Sequence, residues 1–311
     1  MTSVTTETGS PKRRLGDLVF ANTTRAAGVT ILVALAGVAI FLTAEGLPAV
    51  GAKAPDLKGH SNLLTYVAPL VFGTLLAAVI ALVIAVPLAL GVALSVSHYA
   101  PKPVAVGIGY LVDLLAAVPS VVYGLWGIGF LGPRLIPVYQ WLADHLGFIP
   151  FFDGPASNTG RTILTASIVL AIMILPIVTA ISREIFAQTP RLNEEAALAL
   201  GATRWEMIRL AVLPYARSGI VSAAMLGLGR ALGETMAVAM VLSASGVVTW
   251  DLISSTNPST IAANVALTFQ DATGLQRNAL IASGLVLFVI TFVVNFAARA
   301  IVERNDPGKA R

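Results

Sequence analysis

The residues best suited to chemistry are an arginine and a glutamate inside an apolar stretch. Arg230 and Glu234 are four residues apart within 218–247, a run that is long and apolar enough to cross a bilayer. In one continuous helix, this spacing would place both side chains on the same face. A charge in the hydrocarbon core is costly. The pair therefore indicates either a functional site or a structural ion pair that locks two helices together.

A second face of the same stretch consists of small residues. Gly229, Gly233 and Ala237 follow one another at intervals of four. This spacing allows helices in a membrane to approach closely. We expect the glycines either to lie against another helix or to face a pathway, where a bare backbone leaves room for an anion.

The composition predicts the elements that position these residues. Of 311 residues, 56% are hydrophobic and only 12% are charged, against about 25% charged residues in soluble domains. With no cysteine and only three well-separated histidines, we expect no disulfide, no metal site and no catalytic residue. We predict an all-α membrane protein with six transmembrane helices, at about 26–44, 64–96, 104–131, 162–182, 218–247 and 278–298.

The distribution of basic residues predicts the orientation of these spans. Six spans place both termini on one side, and 14 of the 20 lysines and arginines fall on that side. The positive-inside rule therefore makes the termini and segment 183–217 cytoplasmic. We expect a cytoplasmic tail at 1–25, a membrane domain at 26–302 and a second cytoplasmic tail at 303–311. The loop that follows the third span is expected to contain an interfacial helix around Trp141.

Residues 189–214, TPRLNEEAALALGATRWEMIRLAVLP, predict two short helices, and we call them the coupling segment. Thr189 is expected to cap the first helix, and Gly201 is expected to end it at a positive φ. A T-x-x-E capping box at Thr203 starts the second helix, and Pro214 is expected to end it before the fifth span. Such a pair has the shape of a docking element, or of a connector that only covers the membrane domain.

This segment resembles the EAA signature of bacterial ABC-importer permeases. The resemblance is carried by Glu195, Ala196, Ala197, Gly201, Leu213 and Pro214. Ala211 occupies a position where the pattern usually has isoleucine. The resemblance implies a type I ABC importer permease fold, in which the coupling segment contacts a separate ATPase.

Two further stretches, 114–126 and 229–238, are similar to phosphate-specific permeases, and the continuation Met236-Ala-Val resembles the PstC-type subunit. This implies a pathway that includes Arg230, Glu234, Gly229, Gly233 and Thr235. It also implies a second, PstA-type permease subunit, an ATPase dimer that binds ATP and Mg²⁺, and an extracytoplasmic phosphate-binding protein. The implied location is the bacterial inner membrane, in contact with lipid and without a nucleic-acid partner.

Other functions remain open at this point. The chain has no G-x-x-x-x-G-K-[ST] phosphate loop, since its only Gly-Lys pair is followed by Ala310. ATP hydrolysis is therefore expected on another chain, and this chain is not an enzyme. Composition alone does not separate phosphate from sulfate, molybdate or phosphonate. An ion-coupled secondary transporter or channel, with Arg230 and Glu234 as a proton relay, and a membrane scaffold are alternatives that the coupling segment argues against.

Overall fold

The computed structural model describes residues 15–52, 57 and 59–304. In this part of the chain, six helical stretches are long and apolar enough to cross a membrane. They are Gly16–Gly51, Leu63–Tyr99, Ser120–Leu146, Ile163–Ala187, Arg204–Leu232 and Gly274–Ala300. The prediction of six spans is confirmed, whereas residues 1–14 and 305–311 of the predicted tails lie outside the described residues.

Within the described ranges, the chain forms α-helices and irregular connections. The α-helices are α1 (Leu15–Gly46), α2 (Leu63–Leu94), α3 (Lys102–Ala116), α4 (Ser120–Trp126), α5 (Gly132–Leu146), α6 (Ile163–Ala187), α7 (Arg191–Ala199), α8 (Arg204–Met207), α9 (Leu213–Leu232), α10 (Met236–Val241), α11 (Ile261–Thr268) and α12 (Gly274–Arg304). Widened π turns follow α2, α4 and α8, at Ser95–Tyr99, Gly127–Leu131 and Ile208–Val212.

The long helices run in alternating directions and define two ends of the bundle. The Nδ2 of Asn278, near the start of α12, donates a hydrogen bond to the Glu45 carbonyl, near the end of α1. The first and last helices are therefore antiparallel, and the start of α1 and the end of α12 lie at the same end of the bundle. Ser222, in the first half of α9, lines one cavity with Arg299, near the end of α12, which places the coupling segment there too. We call this the termini end. The loops after α5 and α10 lie at the opposite end.

The core of the bundle is α6, packed between α2 and α9. Alanines at intervals of four on α2 are fully or almost fully buried: Ala77, Ala81, Ala85, Ala89 and Ala93. Small side chains allow backbones to approach closely, which is how helices pack in a medium as apolar as themselves. In contrast, α1 buries none of its apolar window, as expected of a helix that faces lipid.

The predicted third span is broken near its middle. We predicted one span at about 104–131, and the structure forms α3 and α4 there, separated by a break that ends at Pro119. Proline has no N–H to donate to the Leu115 carbonyl four residues earlier. The Leu115 carbonyl accepts hydrogen bonds from the Val118 N–H at 3.3 Å and from the Tyr123 hydroxyl at 2.9 Å instead. A side chain thus contributes to satisfying the backbone at the break.

The helix that follows this break is longer than we predicted. We expected it to end at Leu131, but it continues through a π turn and α5 to Leu146. The widened turn directly before α5 accommodates Pro133, because the backbone there no longer needs the N–H that proline lacks. The Tyr139 hydroxyl lies 2.6 Å from Oγ1 of Thr165, at the beginning of α6. The helix expected around Trp141 therefore exists, as an extension of the span.

One buried asparagine joins the loops at the opposite end. Asn257 is completely buried, and its Nδ2 lies within 3.2 Å of the carbonyl oxygens of Arg161, Ser243 and Ser254. Its Oδ1 accepts a hydrogen bond from the Ile163 N–H at 2.9 Å. The loop after α10 is therefore fixed to the first turn of α6.

Candidate functional site

The first half of the coupling segment ends in a glycine turn. Gly201 has a φ of +87°, and its N–H donates to the Leu198 carbonyl at 3.0 Å. The Ala202 N–H donates to the Ala197 carbonyl at 3.2 Å. These two bonds form a Schellman motif, which requires a left-handed residue at the position of Gly201. The prediction of a glycine turn with positive φ is confirmed.

The start of α7 differs from our prediction. Pro190, and not Thr189, is the N-cap residue, and it makes no side-chain capping bond. The Thr189 N–H donates to the Phe186 carbonyl, which keeps this residue in the last turn at the end of α6. Its side chain is consequently buried, with Oγ1 unpaired. The predicted threonine cap was wrong because α6 extends further than its apolar run.

The second half of the coupling segment is continuous with the fifth span. The capping box is present: the Thr203 N–H donates to Glu206 Oε2 at 2.8 Å, and the Glu206 N–H donates to Thr203 Oγ1 at 3.3 Å. However, Pro214 does not end the helix. The π turn before it bonds the Leu213 N–H to the Ile208 carbonyl, and this wider ring leaves room for the proline. Helical structure therefore runs without a break from Arg204 to Leu232.

A small apolar cluster seats this segment on the bundle. Met207, Ile208 and Val212 are buried together with Phe186 of α6 and Ala93 of α2. The cluster joins the termini ends of two spans to the first turns of the continuous helix. A movement of the coupling segment must therefore displace the ends of these spans.

The end of α2 also contacts α7 through a polar pair. Nε2 of His98 lies 3.7 Å from a carboxylate oxygen of Glu194. The ring packs edge-on against Phe186, and the Ser97 hydroxyl lies 2.8 Å from Nδ1. The pair therefore ties α7 to the second span.

The outer surface of the coupling segment presents apolar side chains to its surroundings. Leu200 and Leu192 are 89% and 79% exposed. Leu200 borders a concave surface of about 840 Å³ between α7 and the start of α9. Of the residues that carry the EAA resemblance, Glu195, Ala196 and Pro214 are exposed, while Ala197 and Leu213 are half-buried. Exposed leucines around a concave surface are typical of a protein docking site.

The fifth span has a break in its interior. We expected one helix over 218–247, but α9 ends at Leu232 and α10 begins only at Met236. Between them, the Glu234 carboxylate accepts a hydrogen bond from the Ala237 N–H at 3.0 Å. A carboxylate that caps a free N–H stabilises the start of a new helix. The two charged side chains are therefore not on one helix face, contrary to our prediction.

Arg230 lies just before this break without an acidic partner. Among the described residues, it forms no ion pair within 4.0 Å, with Glu234 or with any other carboxylate. Its Nε is buried and has no hydrogen-bond partner. A guanidinium with a free donor in an apolar bundle can bind an anion.

A cavity of about 610 Å³ borders Arg230, between α9, α12 and the middle of α6. Its lining residues are Ile177, Val221, Ser222, Met225, Leu226, Gly229, Arg230, Asn295, Ala298 and Arg299. Two arginines thus share a largely apolar cavity whose lining includes no carboxylate. The volume falls within the range of ligand sites, about 300–1,000 Å³.

The predicted glycine face is open within this chain. A side chain added at Gly229 would meet nothing within 4 Å, and one at Gly233 would meet only the Gly229 carbonyl. Close helix packing is instead made by Gly227, which lies against Val178 of α6. Thr235 is half-buried at the start of α10 and makes no capping bond. Roles for Gly229, Gly233 and Thr235 in a pathway remain predictions.

Sequence reasoning missed several residues that surround Arg230. Ser222 lies two turns before Arg230 on α9, Asn295 and Arg299 lie one turn apart on α12, and no spacing in the sequence connects these two helices. Arg299 was counted only as a basic residue beyond the last span. Among the described residues, no group of three or more histidine, aspartate or glutamate side chains could hold a metal ion.

The fold and the coupling segment define the membrane component of an ABC importer. Residues 85–309 match the family described as binding-protein-dependent transport system inner membrane component, and the chain belongs to this family. A member of this family is a transport subunit of a multi-pass inner membrane complex and not an enzyme. ATP hydrolysis takes place on a separate chain.

Comparison with individual proteins identifies more specific relatives of this chain. The chain is 47% identical over 304 residues to phosphate transport system permease protein PstC 2 of Mycobacterium tuberculosis, covering 94% of this chain and 93% of that protein. It is 39% identical to PstC of Mesorhizobium japonicum, covering 94% and 91%. The inward-facing MetNI methionine ABC transporter shares the fold, with a TM-score of 0.52 at 18% identity over 77% of this chain and 94% of that chain.

Proposed function

We propose that this chain is a permease subunit of an ATP-driven importer of inorganic phosphate and forms half of its translocation pathway. The observation that carries the proposal is Arg230, a cation without an acidic partner at a helix break inside the bundle. A planar guanidinium can grip two oxygens of a tetrahedral anion at once. The phosphate permeases of Mycobacterium tuberculosis and Mesorhizobium japonicum support phosphate as that anion.

The pathway includes Arg230, Glu234, Gly229, Gly233 and Thr235. Glu234 is 8% exposed and retains one carboxylate oxygen beyond the one that caps α10. Phosphate near neutral pH keeps at least one proton, so a carboxylate can accept a hydrogen bond from it. Fully ionised sulfate has no such proton and meets only repulsion. Glu234 therefore favours phosphate over sulfate.

The coupling segment transmits the movement that ATP hydrolysis drives in a separate ATPase dimer, which binds ATP and Mg²⁺. The excess of basic residues places the termini end, and this segment with it, in the cytoplasm. Helical continuity from Arg204 to Leu232 supports direct transmission, because no helix break separates α8 from Arg230. A displacement of α8 is therefore transmitted to the pathway through one continuous helix.

The open glycine face and the two ends of the bundle accommodate the other partners. Gly229 and Gly233 face a second permease subunit of the PstA type, or the pathway between the two subunits. An extracytoplasmic phosphate-binding protein docks at the opposite end, and lipid surrounds α1. Alternative substrates are sulfate, molybdate and phosphonate. An ion-coupled secondary transporter is less compatible with the coupling segment, which such a protein does not need.

The test is ATP-driven uptake by the reconstituted complex, and rescue of phosphate uptake in a strain that lacks this subunit. We expect uptake that requires ATP and is competed by phosphate more strongly than by sulfate or molybdate. Uptake driven by an ion gradient without the ATPase would support the secondary transporter instead. In a pull-down, Leu200→Asp should release the ATPase, whereas Phe148→Asp, at an equally exposed site elsewhere, should retain it.

A further inference from the structure

The cavity beside Arg230 contains a second arginine that the proposed pathway does not use. Arg299 of α12 lines the same space as Arg230 of α9. Asn295, one turn before Arg299, and Ser222, two turns before Arg230, complete its polar lining. The cavity therefore draws polar groups from two spans that are far apart in the sequence.

The charges of this lining are all of one sign. Two guanidinium groups border the cavity, and the lining includes no aspartate or glutamate. Like charges that border one cavity repel each other; here Arg230 is half-buried and Arg299 is exposed, and the other walls are mostly isoleucine, valine, leucine, methionine and alanine. An anion bound between the two arginines would remove this repulsion and would be held by charge-assisted hydrogen bonds.

The neutral polar groups fit an anion that keeps a proton. The Ser222 hydroxyl already donates to the Ser218 carbonyl at 2.9 Å, which leaves its lone pairs as acceptors. The Asn295 Nδ2 donates to the Thr291 carbonyl at 2.8 Å, which leaves its Oδ1 as an acceptor. A P–OH group can donate to either acceptor, whereas the deprotonated oxygens face the arginines.

We propose that the α9–α12 cavity is a second phosphate-binding site, in which Arg230 and Arg299 hold the anion and Ser222 and Asn295 accept its proton. The inference rests on the proposed function at Arg230 and adds a contribution from the last span. Because Arg299 lies towards the termini end, a phosphate in this cavity has passed the helix break at Gly233. The site would hold the anion on the far side of that break, before its release.

The same chemistry is available from two sources, free phosphate and the phosphate headgroup of an anionic lipid. Free phosphate would reach the cavity through the pathway. A lipid headgroup would enter from the bilayer, with its acyl chains along the apolar lining. Both carry the tetrahedral oxyanion that the two arginines fit, so the experiment must separate them.

The absence of cysteine from the sequence allows a direct test by thiol labelling. Ser222→Cys introduces one thiol into the cavity, and Ser218→Cys introduces one a turn away, outside the lining. The purified complex is labelled in maltoside micelles, with inorganic phosphate, with sulfate or with added phosphatidylglycerol. We expect phosphate to slow labelling of the Ser222→Cys variant at least severalfold and to leave Ser218→Cys unchanged. Should Ser222→Cys fail to assemble, Ala298→Cys reports from the facing helix.

The role of the second arginine is tested in the same assay. With Arg299→Gln, the phosphate concentration that gives half protection should rise about tenfold or more, the effect of losing one charge-assisted hydrogen bond. Arg25→Gln removes the same charge from exposed α1 and should leave protection unchanged. Equal protection in Arg299→Gln and in the unaltered chain would overturn the proposal.

The remaining outcomes are equally decisive. Protection by phosphate alone assigns the site to free phosphate, and protection only by phosphatidylglycerol assigns it to a lipid headgroup. If neither protects, or if Ser218→Cys is protected equally, the site does not exist. ATP-driven uptake by vesicles from the same preparation then separates the two proposals. Normal uptake without protection overturns this site alone, whereas absent uptake of phosphate overturns the proposed function as well.

Discussion

Two glycine breaks, at Gly201 and at Gly233, interrupt helices in very different ways. At Gly201, the backbone adopts a positive φ, a Schellman motif closes one helix, and a capping box opens the next. At Gly233, φ is −93°, a value that most residues adopt, and no side-chain cap precedes α10 at Thr235. Local backbone hydrogen bonds form the first break. At the second break, the Glu234 carboxylate accepts the Ala237 N–H and so determines where α10 begins.

The comparison distinguishes a structural turn, at Gly201, from a break that we associate with function, at Gly233. In the first break, the turn bonds and the capping box are satisfied within a few residues, which makes the turn rigid. Near the second break, the Arg230 Nε is buried without a partner. Unsatisfied buried polar groups are rare in proteins and suggest a missing ligand. The turn at Gly201 is thus stabilised by bonds within the chain, whereas we propose that the free Arg230 Nε is satisfied by the anion that binds there.

The largest effect should come from Arg230, which tests whether the interior break is a binding site. We expect Arg230→Lys to reduce ATP-driven phosphate uptake about tenfold or more, because a point charge does not reproduce the bidentate fork. Arg25→Lys is the matched control. Full uptake by Arg230→Lys would remove the contrast between the two breaks, since neither would then contact the substrate.

The second largest effect should come from Gly201. A side chain there would meet no atom within 4 Å, so any cost comes from the backbone alone. The left-handed conformation costs about 1–2 kcal/mol for most residues and less for asparagine. We expect Gly201→Val to lose most ATP-dependent uptake while remaining inserted, and Gly201→Asn to retain most of it.

A third glycine provides the control for this experiment. Gly91, in the last turn of α2, also has open space around it but an ordinary helical backbone. Gly91→Val should therefore be tolerated. Equal uptake by Gly201→Val and Gly91→Val would show that the turn does not need its positive φ to couple ATP hydrolysis to transport.

Glu234 should give a smaller effect, on selectivity. Glutamine keeps the carbonyl oxygen that accepts the Ala237 N–H, so Glu234→Gln removes the charge and preserves the cap. We expect slower phosphate uptake and a phosphate-to-sulfate preference reduced by about two- to tenfold, the effect of one hydrogen bond. Competitive uptake measures the ratio, and Glu234→Leu reports the added loss of the cap. An unchanged ratio in Glu234→Gln would leave the residue a purely structural role.

The smallest effect should come from the capping box. Thr203→Ala removes a cap worth about 1 kcal/mol. The ATPase should then co-purify at a reduced level, by less than about fivefold, with insertion unaffected. Thr189→Ala is the control, because that threonine makes no capping bond. If Thr189→Ala had the larger effect, the assignment of caps in this segment would be wrong.

The parts of the fold that sequence predicts are those with local causes. Gly201 and the capping box at Thr203 were predicted because each motif is marked by residue types at neighbouring positions in the sequence. Pro214 was misread, because whether a proline ends a helix depends on a π turn before it, which no residue type marks. At Pro119, no residue pattern indicates that the Tyr123 hydroxyl bonds the Leu115 carbonyl across the break.

The interior site was predictable only in part. Arg230 was predicted to be functional because a charged side chain inside an apolar membrane span is energetically costly. Its relation to Glu234 was not predictable, since a carboxylate can pair with an arginine four residues before it or cap an N–H three residues after it. Arg299 was invisible for another reason: only the packing of α12 against α9 brings it to the cavity.

The buried amide of Asn257 sets an order in which the protein can be assembled. Its partners at Arg161 and Ile163 precede it by more than ninety residues. A ribosome delivers these backbone groups to the membrane before α9 and α10 have been made. Their polar atoms must stay hydrated until Asn257 arrives, because burying them unpaired is costly. The hydrogen bonds that fix the loop after α10 to α6 therefore form late in biosynthesis, only after the fifth span has crossed the membrane.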